Sequence, residues 1–311
     1  QEIRERVENR RVNTWGILPL DKPAGLTSHD VVDVVRKDLG IQKIGHAGTL
    51  DPLATGVLVV CVGRATRLTP YLTAHTKRYR ARLHMGVRTD TMDAEGQTLL
   101  STEDIPLTVD PIAAVLAGYR GTINQIPPMY SAKKVGGKRL HRLARAGKTV
   151  ERQSVSIHID ALRVEAYTPP FLDLDIACSK GTYVRVLADD IGLAVGCGAH
   201  IASLRRTASG PISIDQCCAV DDIGDGVGAM IDPNEALSDL PEITLPDHLA
   251  SRFSNGTAVV TPNGTAELCE DVTTRVRGSQ GELLGIGQMT GSLVTPKCVL
   301  PSRLVDASCK P

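Results

Sequence analysis

The chain has 311 residues, with 35 Lys plus Arg against 35 Asp plus Glu, so any affinity for nucleic acid must come from local clustering and not from net charge. Apolar residues at 42% and charged residues at 23% are globular values, which excludes the fibrous and disordered classes. Aromatics make up only 3%, with one Trp and two Phe, and this excludes a ring-lined platform that reads single strands by stacking.

In chain order, residues 1–13 are charged and aperiodic and read as a flexible arm. Gly16 to Lys22 is a short strand that runs into the Pro23-Ala24-Gly25 turn. Thr27 and Asp30 form a capping-box pattern. Val31, Val34, Val35 and Leu39 then follow on one helical face, and Gly40 ends the helix. A Gly-rich loop from Ile44 to Pro52 feeds the apolar run Gly56–Val62, whose length and β-branched content predict a buried strand.

From Arg78 to Arg88 the alternation is strict. Tyr79, Ala81, Leu83, Met85 and Val87 share one face, with arginines and His84 on the other, so the stretch reads as a half-buried strand. Leu172 to Cys178 alternates in the same way. A helix follows it, with Val184, Leu187, Ala188, Ile191 and Val195 at helical spacing. Arg185 falls in the first turn of that helix, where a cation faces the positive end of the dipole; either a carboxylate partner or a solvated surface position would account for it.

Charge is segregated along the chain. Residues 131–152 carry eight Lys or Arg against the single acid Glu151, whereas residues 207–251 carry nine acids and no Lys or Arg. The first stretch reads as a grip on phosphates, the second as a domain boundary. Residues 243–304 read as short strands separated by turns. The eight cysteines contain no C-x-x-C pair, so neither a metal site nor a disulfide framework is expected, and a reducing cytoplasmic compartment is. No apolar run approaches membrane-spanning length, and no glycine-rich fingerprint for a nucleotide cofactor is complete.

The informative segment is Gly45-His46-Ala47-Gly48-Thr49-Leu50-Asp51-Pro52, continuing to Leu58. An Asp-Pro after glycines is by itself a turn signal. The same residues also suit a nucleophile, because Pro52 keeps Asp51 out of helical dihedrals and a carboxylate is ionised at neutral pH without a partner base. This segment resembles the catalytic motif of the TruB family of tRNA pseudouridine synthases. Four further family blocks follow in order: Lys77-Arg78-Tyr79-Arg80 with Gly86 to Gly96, Pro127 to Ala132, Cys178 to Arg185, and Gly198 to Thr207. Ala47 departs from the family pattern, in which many members carry Thr after the His.

The resemblance implies an α+β fold. A catalytic domain over 14–220 would hold a central mixed, largely antiparallel sheet flanked by helices, with a basic insertion at 127–152. An acidic linker at 221–242 would lead to a small β-rich PUA-type RNA-binding domain at 243–311. The implied reaction is cofactor-independent isomerisation of uridine to pseudouridine at position 55 in the T-loop of tRNA, by base flipping. Asp51 would be the nucleophile, Tyr79 would stack on the base and move a proton, and Arg185 would position Asp51. Tyr183 and Leu204 would line the pocket, and His46 would support the flipped-out loop. Lys22, Lys133, Lys138 and Arg142 complete the expected substrate-binding set. The expected partner is the T-arm of tRNA, with no membrane and no metal, and the expected state is a monomer. The alternatives are a guide-RNA-dependent, dyskerin-like synthase and an RNA-binding, tRNA-folding chaperone.

Overall fold

The structure, a computed structural model, describes residues 15–131, 133–145, 147, 150–224, 229–261 and 271–300. The expected arm at 1–13 lies outside the described residues, as do Cys269 and Cys309. The first strand, β1 (Gly16–Lys22), leads to helix α1 (Ser28–Leu39), then β2 (Ile44–His46) and β3 (Thr55–Val62). Helix α1 starts where the sequence predicts. The Thr27 hydroxyl accepts from the Asp30 N–H, the Asp30 carboxylate accepts from the Thr27 N–H, and Gly40 closes the far end. Val31, Val32, Val35 and Leu39 bury that helix against the sheet.

Helix α2 (Thr69–Ala74) precedes β4 (Lys77–Met85), β5 (Val87–Thr89) and β6 (Thr98–Ser101). The predicted strand over 78–88 is therefore divided. It stops at Met85 because Gly86 turns the chain at φ +85, and Val87 opens a separate two-stranded ribbon. Helix α3 (Asp110–Ala117) and β7 (Gly121–Gln125) lead to the basic insertion. Its described backbone is a hairpin, β8 (Lys134–Val135) and β9 (Lys138–Arg139), followed by helix α4 (Leu140–Arg145). Next come β10 (Val155–Thr168), β11 (Phe171–Cys178), helix α5 (Val184–Val195), β12 (Ala199–Ser209), β13 (Ile212–Ser213) and β14 (Cys218–Ala219).

The central sheet runs β14-β1-β3-β12-β4-β11-β10-β7, with β2 beside β3 and β13 beside β12. It is mixed and largely antiparallel, and only the β1–β14 and β3–β12 pairs are parallel. Those two central strands meet through just two residue pairs, Arg205 with Thr55 and Arg206 with Gly56. The sheet therefore forks between β3 and β12, and a cleft of about 900 Å³ opens there, lined by Gly25, Leu53, Thr55, Ser203 and Leu204 among others. One face of the sheet packs on α1, α3 and α5. The other packs on Leu68 and Leu72 and on Ala236, Leu237 and Ile286 from the C-terminal region.

That region holds α6 (Pro233–Ala236), β15 (Glu242–Thr244), α7 (Asp247–Ser254), β16 (Val259–Val260), β17 (Val272–Arg277), β18 (Leu283–Thr290) and β19 (Leu293–Val299). Its strands form a five-stranded sheet ordered β15-β17-β18-β19-β16, capped by Leu249 and Phe253 of α7. The described part of the expected linker is packed. Ile231 exchanges backbone hydrogen bonds with Ile17, while Ala236 and Leu237 are fully buried. The apolar side chains among the acids account for this, since each favours burial by about 1.5–3 kcal/mol.

Candidate active site

Asp51 stands in the loop between β2 and β3, at the fork of the sheet, and that loop is held from several sides. Ser28, at the start of α1, donates to the Leu50 carbonyl and accepts from the Leu50 N–H at 2.8 Å. The Pro52 carbonyl accepts from the Gly25 N–H at 2.8 Å and from Lys22 Nζ at 3.2 Å. Arg206 Nη2 donates to the Gly48 carbonyl at 3.0 Å, and the Ala54 N–H closes a tight turn onto the Asp51 carbonyl.

At the end of this loop, Gly56 has φ +98 and lies so close to β12 that a Cβ there would fall 2.1 Å from the Arg206 carbonyl oxygen. Only glycine fits. Gly56→Ala combines a left-handed backbone with an overlap against main chain, and we expect it to destabilise the fold by about 3 kcal/mol or more. A thermal melt of that variant matching the wild type would show that the close approach is not maintained in solution.

The first turn of α5 brings Arg185 to this loop. Its Nε stands 2.9 Å from Asp51 Oδ2, and its Nη1 stands 3.3 Å from Asp93 Oδ2. Nη1 also donates to the Thr91 carbonyl at 3.0 Å and Nη2 to the Tyr130 carbonyl at 2.9 Å. Every nitrogen of the guanidinium is thus engaged, and the side chain is only 5% exposed, whereas that of Asp51 is 36% exposed. The pair has one buried, fixed partner and one that is partly exposed. The two carboxylates also offset the cation lying at the positive end of the helix dipole. Burial raises the Asp51 carboxyl above its ordinary 3.8, with Arg185 opposing the rise and Asp93 adding to it. Raised basicity and fixed orientation suit the Asp51 carboxylate to nucleophilic attack.

Tyr79 lies on β4 beside Arg206 of β12, and two residue pairs further along the same ladder Leu204 faces Ala81. Tyr79 is 8% exposed and Leu204 is 6% exposed. Burial raises the Tyr79 phenol, Arg206 opposes that rise, and the charge of Asp51 adds a little to it. Tyr183 caps the N-terminus of α5, where the buried Gln125 amide grips its backbone, accepting from the N–H at 2.8 Å and donating to the carbonyl at 3.1 Å. Burial raises the Tyr183 phenol as well, opposed by a hydrogen bond with Ser131. His46 ends β2, and burial followed by Arg206 lowers its pKa from 6.5, which keeps the ring neutral.

Lys22, expected among the substrate-binding residues, sits elsewhere. Its side chain is fully buried, and Nζ donates to the carbonyls of Pro23, Leu26 and Pro52 at 2.8, 2.7 and 3.2 Å. Burial lowers its pKa to about 8. With all three ammonium protons directed at main chain, it braces the Asp51 loop from behind. Lys133 is half-buried at the start of the insertion, Lys138 falls on β9 and Arg142 on α4; the side chains of the last two lie outside the described residues. Asp93 and Arg206 fall inside the family blocks with no role implied for either, and Gln125 falls outside them.

The model of the TruB family pseudouridylate synthase N-terminal domain matches residues 36–184, and two TruB C-terminal domain models match 185–245 and 241–300. The tRNA pseudouridine synthase B of Pseudomonas aeruginosa is 40% identical over 294 residues, 92% of this chain and 95% of that protein. This chain belongs to the TruB family of pseudouridine synthases. The tRNA pseudouridine synthase B of Symbiobacterium thermophilum is 46% identical over 246 residues, covering 78% of this chain and 82% of that protein. Among solved structures, the Cbf5-Nop10-Gar1 complex contains a chain that superposes with a TM-score of 0.73 at 26% identity, over 95% of this chain and 87% of that one.

Proposed function

We propose that this TruB-family pseudouridine synthase isomerises uridine to pseudouridine at position 55 in the T-loop of tRNA. One observation carries the chemistry. A partly exposed carboxylate, in the loop that leads into β3, is held 2.9 Å from a buried arginine. Substrate and product are isomers, so no redox or group-transfer cofactor is required. The N1–C1′ bond breaks, a C5–C1′ bond forms, the proton on C5 leaves and N1 gains one.

Asp51 serves that exchange whether it adds to the sugar, adds to the base or promotes elimination. Tyr79 packs its ring on the uracil, and its hydroxyl moves the proton lost from C5. Tyr183 and Leu204 bound the pocket, and neutral His46 supports the loop once the uridine has left its stack. Extruding a base costs a few kcal/mol, so the RNA must be anchored elsewhere, and the basic stretch 131–152 supplies cations for that anchoring.

The test uses the purified protein alone and an unmodified tRNA transcript, with modification mapped at nucleotide resolution. We expect one pseudouridine, at position 55. Activity that appears only with a guide RNA would favour the guided reading instead, and no product under either condition would overturn the assignment. The basic insertion makes a second measurable claim. The triple substitution of Lys133, Lys138 and Arg142 by Ala should weaken tRNA binding and flatten the slope of log affinity against log salt by about one to three units. An unchanged slope would return the segment to a solvated charged surface.

A further inference from the structure

Arg206 is 1% exposed and is among the largest fully buried side chains, yet among the described residues it forms no ion pair with a carboxylate. Buried guanidinium groups are ordinarily matched by one, because an uncompensated interior charge is costly. The groups that feel its charge are largely cationic or neutral: Lys22, His46 and Lys77. Fold maintenance alone does not call for a cation here, since a neutral donor would satisfy a carbonyl at less cost.

What Arg206 touches belongs to the site. Its Nε donates to the Val57 carbonyl at 2.6 Å and its Nη2 to the Gly48 carbonyl at 3.0 Å, so the two bonds bracket Asp51 in the chain. Its own backbone passes over Gly56, the residue that ends the loop. Tyr79 is also the cross-strand partner of Arg206, and the guanidinium charge acts on its phenol. We propose that Arg206 is a positioning residue for the reaction: it pins both ends of the Asp51 loop and, from the strand position paired with Tyr79, holds carboxylate and phenol in one register. The inference rests on pseudouridine formation at this site.

The phenol of Tyr79 is faced by Arg206 from β12, by Cys178 from β11 and by Asp51 from the loop. Of these, Arg206 is the one that stabilises the phenolate, so its removal should move the ionisation of Tyr79 to higher pH. That midpoint can be read by ultraviolet absorbance, as the difference between each protein and its Tyr79→Phe counterpart. We expect a higher midpoint in Arg206→Gln and a smaller change in Arg206→Lys, which keeps the cation but not the fork that reaches two carbonyls. Single-turnover rates on saturating tRNA should fall about 10²-fold in both variants, the scale of a misplaced reacting group. Binding of tRNA should stay within about threefold, because a buried side chain contacts no phosphate.

An unchanged Tyr79 midpoint in Arg206→Gln, or a wild-type single-turnover rate, overturns the proposal. If Arg206→Gln shows no cooperative melt, Arg206→Lys decides: a lowered rate with retained affinity supports the role, and a wild-type rate overturns it. Absence of product from the wild-type protein would instead overturn the proposed function, and the Tyr79 midpoints would still decide whether Arg206 acts on that hydroxyl.

Discussion

Replacing Asp51 with Asn abolishes pseudouridine formation while leaving tRNA affinity within a few fold. The amide keeps the shape of the side chain but has no negative oxygen to attack or to promote departure of the base. Affinity for tRNA is dominated by phosphate contacts, and removing one carboxylate from the cleft removes no cation. Arg185 stays in place because Asp93, Thr91 and Tyr130 still hold it.

Linkage fixes the sign of the stability effect. The folded-state pKa of Asp51 lies above its ordinary 3.8, so the ionised carboxylate opposes folding at neutral pH. That unfavourable contribution is fully present above the folded pKa, shrinks as pH falls below it and is gone below the ordinary 3.8. The melting temperature of Asp51→Asn at neutral pH should therefore equal or exceed that of the wild type. In the wild type, activity should fall on the acid side with a midpoint above 3.8, as the nucleophile is protonated. Substantial turnover by the Asn variant, measured by product mapping on tRNA, would remove Asp51 from the catalytic role. If the folded but inactive variant still refolds tRNA, a chaperone activity stands beside the enzymatic one.

Most of what positions the site is local, which is why the sequence announces it. The capping box at Thr27 and Asp30, the alternation of β4 and the Pro52 constraint on Asp51 each act within a few residues, and the structure holds all three. Arg185 was legible for a different reason. The family resemblance implies its pairing with Asp51, and a cation in the first turn of a helix is an electrostatic anomaly that such a carboxylate relieves.

What escaped is long-range. Asp93 reaches the same guanidinium as Asp51 from a turn 42 residues away, and no periodicity links the two. Lys22 ends an apolar strand and is expected to touch substrate until its carbonyl partners are seen, two flanking the turn just after it and the third in the Asp51 loop 30 residues on. Arg206 had a usable signal. It lies two residues from Leu204 on an extended strand, so the alternation rule puts both on one face, and that face is the buried one. The adjacent Arg205 masks the signal, because a pair of arginines looks like a surface patch. Arg205 does face outward, pairing with Asp21 at 2.7 Å.

Tyr79→Phe separates the two duties assigned to this tyrosine. The substitution keeps the ring, which is packed between β11 and β12, and deletes only the hydroxyl beside Arg206. Binding of tRNA should be unaffected, and the single-turnover rate should fall by about 10²–10⁴, the range for loss of a general acid or base. Tyr79→Leu should lose more, because it also removes the stacking face. The pH profile gives an independent check. Burial holds the phenol above its ordinary 10.0, so at neutral pH the phenolate is scarce and its population grows about tenfold per pH unit. If that oxygen takes the proton from C5, the wild-type rate rises with pH between about 6 and 9, and the Phe variant shows no such rise. A Phe variant with near-normal turnover and a wild-type pH profile would confine Tyr79 to packing, and the proton would then have to leave through Tyr183, the other phenol in reach of Asp51's charge.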